Sequence, residues 1–425
     1  MVTVDNKFRR VHRLAIGELA GSTRPSRKDG RVTTSSRPVR RTRPGSRRSS
    51  IIEAATRLFR THGYEHVSMS DLAEEVAVGP SALYRHFPSK QDLLREVVNS
   101  GLDPMTAEMA ALDFADRPAV MAAVATLAVD NSHLGAIWLR EARHLPTESA
   151  DEISQRLRAV AATVADAIGR ARPELTEPGR ELIAWTVFGL LLSPSFTHLD
   201  ISRGRHIAVL AEMGCRALDA PVSPEFRYGT TAVPTPGLLP LSRREALLGH
   251  AIQLFAERRY AGVGIEEVAA SLGMAGPAIY KHFSSKSELL ADALGRGAGY
   301  LALRIGEALA GSQTPAQALH RAAGSYIDLA VTHPALVNIL LTEVRNLTEP
   351  YREFALQTQR DYADEWTHLL RQTWPNLDKV TAGVEVRATL SVINTISEIR
   401  HLQSGPGIAD ALLGVVDHLL DLHAN

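Results

Sequence analysis

Three sets of residues in this 425-residue sequence have types and spacings that bear on chemistry. Ser81, Tyr84, Arg85, His86 and Lys90 fall within one short stretch. Hydroxyls, a guanidinium, an imidazole and an ammonium are donors suited to phosphate oxygens and the acceptor edges of bases. Two Glu-x-x-His spacings, Glu141 with His144 and Glu365 with His368, match half of a di-iron carboxylate centre in a helical bundle. They fall at non-equivalent places, and two further inward glutamates cannot be identified, so metal catalysis is not expected. His62 and His66 lie one turn apart, but one ends a helix beside Gly63 and the other lies in a loop. No Ser-His-Asp arrangement, phosphate-cradling glycine loop or dinucleotide fingerprint stands out, so no enzyme is expected and no cofactor is implied. Cys215 is the sole cysteine; it excludes an intramolecular disulfide and thiolate metal cages, and it suits a reducing cytoplasm.

The donor cluster needs a scaffold, and the periodicity supplies helices. Ile52, Ala55, Leu58 and Phe59 recur on one helical face. Gly63 then stands where a C-terminal glycine cap belongs. Ser68 with Asp71 forms a capping-box pattern for a second short helix that turns Leu72, Ala73 and Val76 inward. A tight turn at residues 77–79 precedes Pro80 at the first turn of a third helix, which Leu83 and Phe87 anchor to the core. Ser89 starts a long fourth helix. Three short helices, the second and third joined by a tight turn, form a helix-turn-helix, whose last member can lie in a DNA major groove.

The chain repeats this segment. At an offset of 196 residues, Ile51 to Leu94 superposes on Leu247 to Leu290 without a gap. Leu58 matches Leu254, Phe59 matches Phe255, Tyr84 matches Tyr280 and Lys90 matches Lys286. A second match, at offset 202, sets residues 140–146 on 342–348, so two whole units are read in tandem. The stretch IIEAATRLFRTHGYEHVSMSDLAEEVAVGPSALYRHFPSKQDLL and its copy LLGHAIQLFAERRYAGVGIEEVAASLGMAGPAIYKHFSSKSELL resemble the DNA-binding domain of TetR/AcrR-type transcriptional regulators. The hallmark of that domain is LYxHFxSKxxLL after a helix-turn-helix.

That resemblance implies that Tyr84, His86 and Lys90 hold the phosphate backbone while Pro80, Ser81, Ala82 and Arg85 face the groove. In the second unit Tyr280, His282 and Lys286 would clamp, with Gly276, Pro277, Ala278 and Lys281 reading. The copies depart from the family pattern at Gly79 and Ala275, where Ser or Thr is usual before the recognition helix. Arg259 stands in the place of Gly63, and Gly264 in that of Ser68. The differing exposed residues lead to the expectation of an asymmetric operator.

The balanced overall charge conceals a dipole. Residues 1–48 carry 14 Lys plus Arg against 3 Asp plus Glu, a net of +11, and the remainder carries −11. This segment reads as a basic, disordered arm suited to a polyanion. The expected domains are helix-turn-helix heads at 49–100 (motif 68–87) and 242–296 (motif 264–283), and helical effector and pairing domains at 101–218 and 297–425. A Pro/Gly/Thr-rich linker at 219–241 joins the units. The longest apolar run, residues 182–192, is too short for a membrane span, and no secretory signal is recognised.

The fold class expected is therefore all-α, with two tandem TetR-like units. By the resemblance, each effector domain binds a small molecule and pairs through its last two helices. Residues 182–192 with 207–218, and 384–402 with 408–422, are the apolar candidates, pairing as an intramolecular pseudo-dimer or in a homodimer. Pocket candidates are Trp138, Glu141, Trp185 and Phe188 in the first unit and Tyr326, Glu343, Tyr362 and Trp366 in the second. Glu141 with Arg143, repeated as Glu343 with Arg345, reads as a polar pocket anchor or an ion pair. The expected protein is a cytoplasmic, ligand-responsive regulator of transcription, a repressor that a small, apolar effector releases from double-stranded operator DNA. The alternative is a helical binding module in which one head, the second, no longer engages DNA.

Overall fold

The computed structural model describes residues 44–111, 114–132, 144–196, 199–229, 238 and 240–422. Helix makes up 77% of it, with no strand among the described residues, which places the chain in the all-α class. No helix among them is long and apolar enough to cross a membrane.

Helix α1 (Pro44–His62) ends at Gly63, whose φ of 83° is the left-handed conformation a glycine cap supplies without steric cost. It begins inside the segment read as a disordered arm. Arg48 lies over the Phe87 ring at 4.7 Å and pairs with Glu96 at 3.2 Å, while Arg47 donates to the Val76 carbonyl at 3.4 Å. These arginines thus belong to the head, because their apolar stems cover its core while their charged ends find partners. The rest of that segment, residues 1–43, lies outside the described residues.

Helix α2 (Met69–Glu75) opens on the expected capping box: Ser68 Oγ accepts from Asp71 N at 3.1 Å, and Asp71 Oδ2 accepts from Ser68 N at 2.7 Å. Helix α3 (Pro80–His86) follows a turn in which Ala77 takes a φ of 51°. Helix α4 (Lys90–Ala110) starts at Ser89, whose hydroxyl accepts from Asp92 N at 3.0 Å. Leu72, Leu83, Phe87, Leu93 and Leu94 are buried and close the head around Phe59. The first unit continues with α5 (Arg117–Asp130), α6 (Thr147–Ala171), α7 (Glu177–Leu192) and α8 (Arg203–Asp219).

The second unit repeats the plan with α9 (Arg243–Arg258), α10 (Ile265–Ala270), a 3-10 turn (Gly276–Lys281) and α11 (Lys286–Ala310). Beyond its head lie α12 (Pro315–Thr332), α13 (Pro334–Thr342), α14 (Tyr351–Thr373), α15 (Lys379–Ser397), α16 (Arg400–Gln403) and α17 (Ile408–Leu419).

The four apolar segments singled out for pairing come together inside one chain. Helices α7 and α8 pack on α15, and α8 also packs on α17, as a four-helix bundle between the units. At the α7–α15 crossing Ser391 Oγ donates to the Gly189 carbonyl at 2.9 Å. A Cβ added at Gly189 would lie 2.6 Å from the Val392 Cα, so glycine allows this close approach. Across the same seam Arg216 donates to Glu385 at 2.5 Å and to the Leu419 carbonyl at 2.6 Å, and His401 Nε2 meets Glu181 at 2.8 Å. Arg205 pairs with Asp378 and donates to Thr381 at 2.8 Å.

Of the segment read as a linker, residues 230–237 and 239 lie outside the described residues. Its first part lies against the second unit: Phe226 is fully buried, and Gly229 N donates to the His401 carbonyl at 2.8 Å. The prolines stop α8 from continuing, while one aromatic side chain secures the stretch that follows.

Candidate nucleic-acid interface

In the first head, α3 divides its residues between core and solvent. Leu83 is buried, whereas Pro80, Ser81, Tyr84 and Arg85 are exposed and Ala82, His86 and Lys90 are half-buried. Tyr84 is 50% exposed and its counterpart Tyr280 is 51% exposed, which removes both from the core and leaves their hydroxyls available. The clamp candidate Lys90 follows at the start of α4, where Tyr64 lies beneath its ammonium, Nζ being 4.0 Å from the ring centroid. Lys286 repeats this over Tyr260 at 4.1 Å. A cation held against an aromatic face is attracted by the ring quadrupole and has fewer rotamers to lose on meeting a phosphate.

Sequence reasoning did not identify Tyr64 and Tyr260 as the platforms under the lysines. Their identity at matching positions of the repeat was the available signal. Burial raises the pKa of both phenols, with Arg259 opposing the rise at Tyr64. Burial lowers the pKa of Lys286, and the charges of Glu343, Glu65 and Glu267 counter this.

The second head places Pro277, Tyr280 and Lys281 at the surface and Gly276, Ala278, His282 and Lys286 half-buried, with Ile279 and Phe283 in the core. Its candidate reading segment is not an α-helix. Residues 276–281 wind as a 3-10 turn, with Ala278 N bonded to the Ala275 carbonyl at 2.9 Å and His282 N to that of Ile279 at 2.8 Å. The cause is local. Proline has moved from the first to the second position, glycine stands at the first, and Ala275 offers no side-chain cap. Gly79 likewise lacks a side-chain cap, but Pro80 at the first position pre-sets the φ of α3. A 3-10 turn eclipses side chains three apart and rises more steeply, so Pro277 and Lys281 are presented on a different pitch from Ser81 and Arg85.

Arg259, in place of the capping glycine, takes φ 66° and ψ 160°. This region is almost reserved for glycine and costs on the order of 1–3 kcal/mol. Gly264 still receives the Glu267 carboxylate on its backbone N–H at 2.7 Å, half of the capping box that Ser68 completes in the first unit.

The pocket candidates separate by unit. Trp138 and Glu141 lie outside the described residues. Trp185 and Phe188 are buried in α7 with ring centroids 5.3 Å apart, and the Trp185 indole donates to Glu181 at 3.1 Å beside the inter-unit seam. Tyr326, Tyr362 and Trp366 instead form one buried cluster between α12 and α14, with centroids 5.8 to 6.3 Å apart. The Tyr326 hydroxyl donates to Asn394 at 2.8 Å, whereas the Tyr362 hydroxyl and the Trp366 indole N–H are buried beside each other without a well-formed hydrogen bond. Burial pushes Tyr326 up to about 12 and raises Tyr362 further.

Glu343 is separate from this cluster: it is buried and accepts from Asn346 at 2.6 Å, while Arg345 is exposed. Among the described residues no group of three His, Cys, Asp or Glu is placed to hold a metal ion. His368 is exposed on the side of α14 away from Trp366.

A sequence profile for "Bacterial regulatory proteins, tetR family" matches residues 51–97 and 247–293, covering both heads. The HTH-type transcriptional activator FasR of Mycolicibacterium smegmatis is 33% identical over 108 residues, which are 25% of this chain and 49% of that protein. An HTH-type transcriptional regulator of Staphylococcus aureus is 43% identical over 56 residues, 13% of this chain and 30% of that protein. The chain thus spans about half or less of the length of these curated relatives. Among solved structures, a TetR-family regulator from Bordetella parapertussis aligns with TM-score 0.41 and 23% identity over 44% of this chain and 98% of its own. The ketosteroid regulator KstR2 of Mycobacterium tuberculosis aligns at 0.39 and 22% over 43% and 95%. With the same family profile met at each of two helix-turn-helix segments, both heads of this chain match the bacterial tetR family of regulatory proteins, in tandem in one polypeptide.

Proposed function

We propose that this protein is a DNA-binding transcriptional regulator whose two unlike heads read the two halves of an asymmetric operator. The observation that carries the reading is the repeated arrangement of an exposed tyrosine, Tyr84 or Tyr280, beside a lysine held over a second tyrosine ring, Lys90 over Tyr64 or Lys286 over Tyr260. In this reading Tyr84, His86 and Lys90, with Tyr280, His282 and Lys286, grip phosphates. Pro80, Ser81, Ala82 and Arg85, with Gly276, Pro277, Ala278 and Lys281, meet base edges. Because the pairing helices are satisfied within one chain, one polypeptide presents both heads.

Control is assigned to the second unit. Its aromatic cluster holds two buried polar groups, at Tyr362 and Trp366, with no well-formed hydrogen bond, and such groups gain when a ligand supplies a better one. A small, largely apolar molecule with one or two polar atoms suits that surrounding. If it binds better to a helix arrangement that spreads the heads, operator affinity falls by the difference in binding free energy between the two arrangements, and the protein acts as a repressor.

Selection of bound sites from random duplex DNA with the full chain tests the reading, followed by footprinting of the selected site. Lys90→Ala and Lys286→Ala should each weaken binding and lower the salt slope by about one ion. A second reading, in which the second head is scaffold, is favoured by its 3-10 winding and the strained Arg259. It prevails if Lys286→Ala leaves the footprint and the salt slope unchanged. Failure of the full chain to prefer any duplex over scrambled sequence refutes both DNA-binding roles.

A further inference from the structure

The second head touches the first unit, beside the first head, at a place where the repeat is broken. Arg259, at the end of α9 in the second head, meets His144 Nδ1 of the first unit through its guanidinium. The His144 ring is stacked on Tyr64 at 4.8 Å, and its Nδ1 lies 3.7 Å from the Glu65 carboxylate. Tyr64 is the ring beneath Lys90, so Arg259 of one head is two side chains from the clamp lysine of the other. Lys286 in turn feels the charge of Glu65, across the same junction. Arginine has only donors, so this contact requires the lone pair of His144 Nδ1.

The matching position in the first unit is Gly63, which makes an ordinary cap. Arginine there holds a backbone conformation almost reserved for glycine. The side chain that accepts this strain is the one that reaches across to the other unit.

We propose that Arg259 is a positioning residue: with His144 and Tyr64 it forms a strut between the heads that fixes their separation and thereby the half-site spacing the protein accepts. The spacing consequence rests on the DNA-binding reading above; the strut itself does not. In a pair of heads tied only through the distant four-helix bundle, small rotations at the bundle become large displacements at the reading segments. A strut that links the heads through His144 suppresses those rotations.

The test uses the full chain with Cys215→Ser and spin labels at the equivalent exposed positions Glu74→Cys and Ala270→Cys, where the inter-head distance distribution is read by pulsed electron resonance without DNA. Arg259→Gly restores the glycine cap, so its melting temperature should hold or rise by a few degrees. Its distance distribution should nevertheless broaden. His144→Ala should broaden it similarly, and the double variant should add nothing, as expected for one shared contact.

On selected operators, inserting two base pairs between half-sites should cost the wild type about tenfold in affinity or more, and Arg259→Gly about threefold or less. A variant that melts higher while discriminating less has lost positioning rather than folding. Unchanged distance distributions in both single variants overturn the strut. Broadened distributions with an unchanged spacing penalty overturn its role in operator choice. If the wild type binds no DNA, the DNA-binding reading and with it the spacing role fall, and the distance distributions alone decide the strut.

Discussion

Ser391 donates its hydroxyl to the backbone carbonyl of Gly189 across the seam between the two units, at 2.9 Å. The bond exists because Gly189 lets α15 approach α7 to within a distance at which a Cβ would overlap the Val392 Cα. Gly189→Leu should therefore push the helices apart and lower stability by about 1–3 kcal/mol, with thermal unfolding as the measure. Gly249→Ala, at a helical glycine with nothing within 4 Å of the added Cβ, should instead be neutral or slightly stabilising.

The Arg216–Glu385 pair in the same seam gives a pH signature. Burial raises the Glu385 pKa, and the nearby Arg216 guanidinium only partly offsets this. A carboxyl whose folded value lies above its unfolded value favours the fold below the unfolded value, and that contribution is lost as pH rises through the folded one. Glu385→Gln removes the titration while keeping an acceptor for Arg216. The melting temperature of the wild type relative to Glu385→Gln should fall as pH rises above the ordinary carboxylate range. A difference that grows with pH would show that the ion pair outweighs burial.

Capping distinguishes the two candidate reading segments. Ala275→Ser should add a side-chain acceptor at the head of the 3-10 turn and stabilise by about 1 kcal/mol, whereas Gly79→Ser should gain only a few tenths, because glycine is already a fair N-cap residue. Equal shifts in the two melting curves would refute the local explanation of the 3-10 winding.

Tyr362→Phe separates an effector contact from a core contact. The hydroxyl it deletes makes no well-formed hydrogen bond and only a poor contact with the Trp366 indole, so the fold should lose little, and the melting temperature should hold or rise. Any compound that releases the wild type from DNA through this cluster should release the variant less readily, measured as a shift of its dose–response curve. Marked destabilisation on losing the hydroxyl would show that its contact with Trp366 is a full hydrogen bond.

How much was legible follows from the range over which each interaction acts. Ser68 with Asp71, Ser89, Gly63 and Pro80 govern neighbours no more than a few positions away, so the helices of the first head and their ends could be read directly from residue order. The tandem organisation was equally plain, because a duplication is a property of the string itself. Shifting proline by one position to Pro277 was visible too, yet its outcome, a 3-10 turn, depended on a balance of small backbone terms that pattern does not weigh.

Residue order alone established an all-α chain of two related helix-turn-helix units with apolar pairing helices. The tertiary structure alone decided that those helices pair within the chain, through Gly189, Ser391, Arg216 and Glu385. It also decided that Trp185 and Phe188 are packed beside that seam while Tyr326, Tyr362 and Trp366 cluster, and that Arg259 meets His144. Each of these joins side chains separated by tens to hundreds of positions. Their meeting is set by the closure of the whole fold, and one-dimensional spacing holds no record of it.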